Sequence, residues 1–139
     1  VACTEFPCEP CAAEGFCVRA FPGIYRFDEV RVTMPSGDLF GEDWDVDSPP
    51  DPIVQINVGT LLARTLEATD DAAPIFTDPF DVNLGEDVTL RVLVSEADPV
   101  GDDFAFDCTI RLTEARIRQR ELSCARDGGA FFARLRPFR

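Results

Sequence analysis

From Ile24 to Arg136 the chain consists of short runs of β-branched and aromatic residues, each stopped by glycine, proline or a cluster of acidic side chains. This texture constrains the fold more than any other feature, because a run of five to eight such residues between turn signals packs as a strand and is too short to form a stable helix. The first run, Ile24 to Met34, is bounded by Pro22-Gly23 and Pro35-Ser36-Gly37 and reads as one long strand or two short ones. Ile53–Val58 stops at Gly59, Leu61–Leu66 follows that turn, and Phe80–Leu84 stops at Gly85. Val88–Val94, Phe104–Leu112 and Gly129–Arg136 complete the series. Only Thr113 to Leu122 has helical composition, which predicts one short helix near the carboxyl terminus. Seven or eight short strands with regular turns predict an all-β sandwich. No repeat or low-complexity linker divides the chain, so residues 24–139 are expected to form one domain. Residues 1–23, which have no hydrophobic period, are expected to pack on it as a cysteine-rich segment.

Cysteine usage bears on the compartment. Four of the six cysteines, Cys3, Cys8, Cys11 and Cys17, crowd the amino terminus, and the other two are Cys108 and Cys124. An even number at this density in a small acidic chain reads as a disulfide framework made in an oxidising compartment, hence a secreted, periplasmic or cell-surface protein. Cys108 and Cys124 are expected to pair with each other, and the amino-terminal four among themselves in any of three ways. The spacing of Cys8-Glu-Pro-Cys11 also suits a zinc knuckle, although a second pair at that spacing is missing. Alternatively, Val-Ala-Cys3 could mark a lipid-anchored cysteine, which would leave one thiol over.

Charge narrows the function. The chain carries 26 acidic side chains against 13 basic ones, all arginine, for a formal net charge of -13, and it has no histidine. Without histidine there is no Ser-His-Asp or Cys-His mechanism and no imidazole-ligated metal. A strongly acidic chain is also a poor partner for nucleic acid, whose phosphates need a basic face. No apolar run approaches the roughly 18 residues of a membrane-spanning helix, and no signal peptide is visible, so the chain reads as a mature or trimmed domain. The charge is segregated: residues 110–139 hold eight arginines against Glu114, Glu121 and Asp127, a net +5, so the remainder carries -18. Among the stretches that hold acids with no basic residue are Ser36 to Asp51 and Glu96 to Asp107.

Both acidic stretches fall in loops once the strands are placed. If those loops meet at one end of the sandwich, each pair of carboxylates at about 4 Å repels by about 1 kcal/mol even at the dielectric of water. Such a cluster calls for a cation. Oxygen donors without imidazole or thiolate suit Ca²⁺, which takes six to eight oxygen ligands in flexible geometry.

In this region the residues resemble the C2 domains found in synaptotagmins and conventional protein kinase C. The resemblance covers roughly Val30 to Leu112 and follows the order of several weak motifs. Asp45-Val46-Asp47-Ser48-Pro49-Pro50-Asp51-Pro52-Ile53-Val54 is similar to the first calcium loop, with its Asp-Pro-Tyr-Val-like turn into a strand. Arg64-Thr65 and then Asp71 to Phe80 resemble the family's Lys-Thr followed by Asn-Pro-x-Trp-Asn-Glu-x-Phe. Leu90 to Asp98 resembles the strand ending in Tyr-Asp-x-Asp, and Asp102-Asp103-Phe104 the Asp-Asp-Phe-Ile-Gly that closes the third loop.

The resemblance implies an eight-stranded antiparallel Greek-key β-sandwich. It also implies calcium ligands at Asp45, Asp51, Glu96, Asp98 and Asp103, with Asp43, Asp47 and Asp102 as additional candidates. Glu96 stands where the family has Asp, and Ala105-Phe106 where it has Ile-Gly. Family members use calcium to bridge to phospholipid headgroups with apolar loop tips, here Val46 and Val100, while Trp44 is read as a packing residue. The family's lysine-rich lipid-binding strand has no counterpart, because the chain has no lysine. The expected function is therefore calcium-dependent binding to phospholipid or a surface protein. A calcium-independent interaction domain of the same fold is the alternative, and a carboxylate-pair hydrolase using Asp45, Asp98 or Asp103 is a third reading.

Overall fold

The computed structural model describes residues 21–37, 49–85, 87–97 and 101–137. Among the described residues nine strands and one helix follow one another: β1 (Gly23–Thr33), β2 (Pro52–Val58), β3 (Leu61–Glu67), β4 (Ile75–Phe76), β5 (Phe80–Leu84), β6 (Thr89–Glu96), β7 (Asp103–Arg111), α1 (Glu114–Arg118), β8 (Glu121–Arg126) and β9 (Gly129–Pro137). One sheet runs β4-β1-β9-β8, with β5 also paired to β1, and the other runs β3-β2-β6-β7. Every pairing is antiparallel. Val30 and Arg31 pair with β4 while Gly23 to Phe27 pair with β5, so these two segments occupy one edge position in succession. The architecture thus has eight strand positions, four per sheet, as the sequence predicts for a sandwich.

Alternation along the strands builds the core. In β9, Phe131, Ala133 and Leu135 point inward while Arg134 and Arg136 face solvent. In β1 the buried set changes phase from Tyr25 and Phe27 to Val30 and Val32, because a bulge between Phe27 and Glu29 inserts a residue against β9. A one-residue shift moves every later side chain to the other face, so this bulge lets one long strand keep its apolar face inward throughout. Phe106 lies at the centre of the core and packs so closely on β9 that a Cβ at Gly129 would collide with its ring.

The structure differs from the sequence reading in the segment after Thr113. The helix covers only Glu114–Arg118, with the Thr113 hydroxyl accepting from the Arg116 N–H at 3.3 Å, and Glu121–Arg126 is a strand. β8 forms a hairpin with β9 through Asp127-Gly128, both at positive φ (52° and 86°), which is the backbone a two-residue turn demands. Ile117 is fully buried and anchors the short helix. Cys108 on β7 and Cys124 on β8 are joined by a disulfide across the edge where the two sheets meet, with their Cα atoms 5.9 Å apart.

The outer face of the β1–β9 sheet is a lattice of alternating charges. Arg26 binds Asp81 through two hydrogen bonds, Arg31 contacts Glu29, Arg136 contacts Asp28, and Arg31 and Arg134 both stack on Phe132. The hydrogen bond from Arg26 holds the Asp81 carboxyl below its ordinary range.

Candidate functional site

Strand direction decides which loops share an end. β1, β3, β6 and β8 run towards one end of the sandwich, and β2, β7 and β9 start there. The connections after Thr33, Glu67, Glu96 and Arg126 therefore emerge together. The loop 68–74 ties this end across both sheets: the Ala68 N–H donates to the Pro52 carbonyl (3.0 Å), Asp71 N–H to Pro50 (2.9 Å), Val32 N–H to Pro74 (3.1 Å) and Met34 N–H to Ala72 (2.8 Å).

Three predicted ligands fall at this end on neighbouring strands. Asp51 directly precedes β2, whose first residue Pro52 pairs with Glu96 at the close of β6, and Glu96 pairs with Asp103 at the start of β7. The main chain locks the arrangement, with the Ala97 N–H donating to the Asp51 carbonyl at 2.8 Å. The Asp51 N–H approaches Glu96 Oε1 at 3.5 Å, and Asp51 Oδ1 accepts the Asp70 N–H at 2.6 Å. Glu96 has 0% of its surface exposed and is the only charged residue in the core among the described residues. A carboxylate there carries a desolvation cost that hydrogen bonds or a cation must offset. Asp102 and Asp103 are exposed.

Asp43, Asp45, Asp47 and Asp98, the tips Val46 and Val100, and the cysteines Cys3, Cys8, Cys11 and Cys17 lie outside the described residues. Among the described residues no three His, Cys, Asp or Glu side chains form a group able to hold a metal ion. Of the residues offered for the hydrolase reading, Asp45, Asp98 or Asp103, only the exposed Asp103 is described.

Three residues at this end were not singled out from the sequence as site residues. Asp70 and Asp71 belong to the loop that braces Asp51, and the Asp71 carboxylate accepts the Ala73 N–H at 2.9 Å. Their adjacency, Asp70-Asp71 between two strand-like runs, was the signal available. Phe104, directly after Asp103, is 39% exposed and gives the acidic end an apolar neighbour. On β3, Arg64 lies over the ring of Phe80 at 5.5 Å.

No family model and no curated protein matches the chain. Solved structures do. A structure described as that of a C2 domain superposes with a TM-score of 0.61 at 19% identity, covering 82% of this chain and 96% of the other. The C2A and C2B domains of extended synaptotagmin 2, solved calcium bound, match with a TM-score of 0.61 and 21% identity over 84% of this chain and 45% of theirs. The C2A domain of a plant extended synaptotagmin 1 matches with a TM-score of 0.55 and 16% identity, covering 87% of this chain and 99% of that one. The fold of this chain is the C2 fold.

Proposed function

We propose that this C2-fold chain is a calcium-binding module whose acidic end, once loaded with ion, engages a membrane surface or a partner protein. One observation supports the reading: antiparallel register brings the main-chain positions of Asp51, directly before β2, Glu96 at the close of β6 and Asp103 at the start of β7 to the end where the loops emerge. All the donors are oxygens, which suits a hard cation. Asp51, Glu96 and Asp103 would hold the ion together with Asp45 and Asp98 from the flanking loops. Bound Ca²⁺ would supply the positive charge that an otherwise acidic surface needs to meet an anionic headgroup or carboxylate. The calcium-bound state of the extended synaptotagmin 2 domains is consistent with this use of the fold. We place the protein outside the cytoplasm, a reading supported by the Cys108–Cys124 bridge, since such bonds persist in oxidising compartments.

A calcium-independent interaction module of the same fold is the second reading. It is favoured by Asp51 Oδ1, which already serves the Asp70 N–H and so braces the loop without an ion. Thermal unfolding separates the two. Calcium in hundredfold excess over its Kd should stabilise the native state by about 2.7 kcal/mol relative to EDTA. Magnesium should not reproduce this, and Asp103→Asn should abolish it. An unfolding midpoint unmoved by millimolar calcium would leave the calcium-independent module.

A further inference from the structure

The end of the sandwich remote from the acidic loops has the opposite character. The last 30 residues carry a net +5 in a chain of net charge -13, and the topology gathers much of that surplus where α1, β8 and the close of β9 meet. A cleft of about 320 Å³ opens there between the turn preceding β8 and β9, with Gln119, Arg120, Arg134 and Arg136 among its walls. We propose that this cleft binds a phosphate monoester or polyphosphate through Arg120, Arg134 and Arg136.

The arginines are held on a braced frame. Arg120 sits in a left-handed turn (φ 58°), where its N–H donates to the Ile117 carbonyl at 2.9 Å and its own carbonyl accepts the Leu135 N–H at 3.0 Å. This bond fixes the turn against β9, two of whose outward residues are Arg134 and Arg136. The Arg134 guanidinium lies over Phe132 with 5.8 Å to the ring centre, a contact that restrains the side chain. Planar guanidinium forks match the oxygens of phosphate in pairs, and Gln119 can add an amide donor.

Two carboxylates line the same cleft, and both are weak competitors. Glu121 reaches Arg134 only at 3.8 Å with both side chains about half exposed. Asp28 contacts Arg136 at 3.0 Å, also near solvent. Exposed pairs of this kind contribute little, so a dianion bridging two or three guanidinium groups outcompetes them. The cleft lies at the end opposite Asp51, Glu96 and Asp103, so binding here should not depend on calcium.

The test is an amide NMR titration of the intact disulfide-bonded protein in EDTA, first with inorganic phosphate and then with inositol hexakisphosphate. Saturable shifts centred on residues 119–121 and 134–136 are expected. Arg120→Gln/Arg134→Gln should weaken binding by about tenfold or more, the loss expected for two charge-assisted hydrogen bonds. Glu121→Gln, which removes a competing acid without touching the core, should tighten it and so guards against a variant that merely unfolds. Co-sedimentation with phosphatidylcholine vesicles containing phosphatidic acid identifies the source: binding there points to a lipid headgroup, and binding of the soluble anions alone to a free phosphate ester. Absence of saturable shifts with both soluble anions together with no vesicle binding, or equal affinity in Glu121→Gln and the double arginine variant, would overturn the proposal. Because calcium is absent throughout, failure here leaves the acidic-end reading untouched.

Discussion

Removing the Cys108–Cys124 bridge tests whether the two sheets are stapled where β7 and β8 meet. The cysteines are 16 residues apart in sequence, and Cys108 is buried while Cys124 packs against the core from a partly buried position. Closing a loop of that size in the unfolded chain removes entropy worth about 3 kcal/mol at room temperature. For a domain of this length each kcal/mol moves the midpoint by about 3 °C, so Cys108→Ala/Cys124→Ala should melt about 10 °C below the oxidised parent. The vacated sulfur volume adds a smaller loss in the same direction. Paired urea titrations and calorimetric scans of the oxidised parent and the double variant, both under non-reducing conditions so that any bonds among the other four cysteines are kept, measure the effect. A loss below about 1 kcal/mol would refute the reasoning and mean that the β7–β8 edge is held by packing alone.

Gly129→Ala should be destabilising by about 1–3 kcal/mol in urea titration, because the new methyl meets the fully buried Phe106 ring; a neutral result would mean that the core yields there. Asp51→Ala should loosen the loop 68–74 at a cost of about 1 kcal/mol while Asp51→Asn, which keeps an acceptor for the Asp70 N–H, should not, and hydrogen exchange at Asp70 reads the difference. Burial, reinforced by the nearby Glu114, raises the phenol of Tyr25 to about 12. Tyr25 is the only tyrosine, so phenolate absorbance should report a single late titration in the folded protein and an ordinary one, near 10, in denaturant. The folded pKa lies above the unfolded one, so this contribution to stability is complete below about pH 10 and is lost as pH rises towards 12.

Strand positions were legible in the sequence wherever alternation and turn residues agreed. Phe80–Leu84 is a strand with those bounds, and Ile53–Val58 and Gly129–Arg136 are each extended by a single residue at one end. Glu121 and Leu122 of β8 continue the helical composition that starts at Thr113, since Arg, Glu and Leu are good helix formers, yet Leu122 is buried between exposed Glu121 and Ser123, a period of two. The Asp127-Gly128 dipeptide, a strong hairpin signal, was present and marks that strand's end. β4 has no sequence signature because two residues carry no period, and its pairing depends on β1 being long enough to reach past β5. The acidic end was legible as two loops rich in Asp. That Glu96 is wholly buried while Asp103 is exposed follows from register and from the bulge between Val94 and Ser95, which no local pattern encodes.

The most direct test of the calcium reading is an amide NMR titration of the disulfide-bonded protein with Ca²⁺ to millimolar concentration, with Mg²⁺ as the control. The account predicts calcium-specific, saturable shifts at Asp51, Glu96, Ala97 and Asp103, spreading through the Asp51–Asp70 hydrogen bond to the loop 68–74, with the arginine end unmoved. Absence of shifts at these residues, or equal shifts with magnesium, would contradict it.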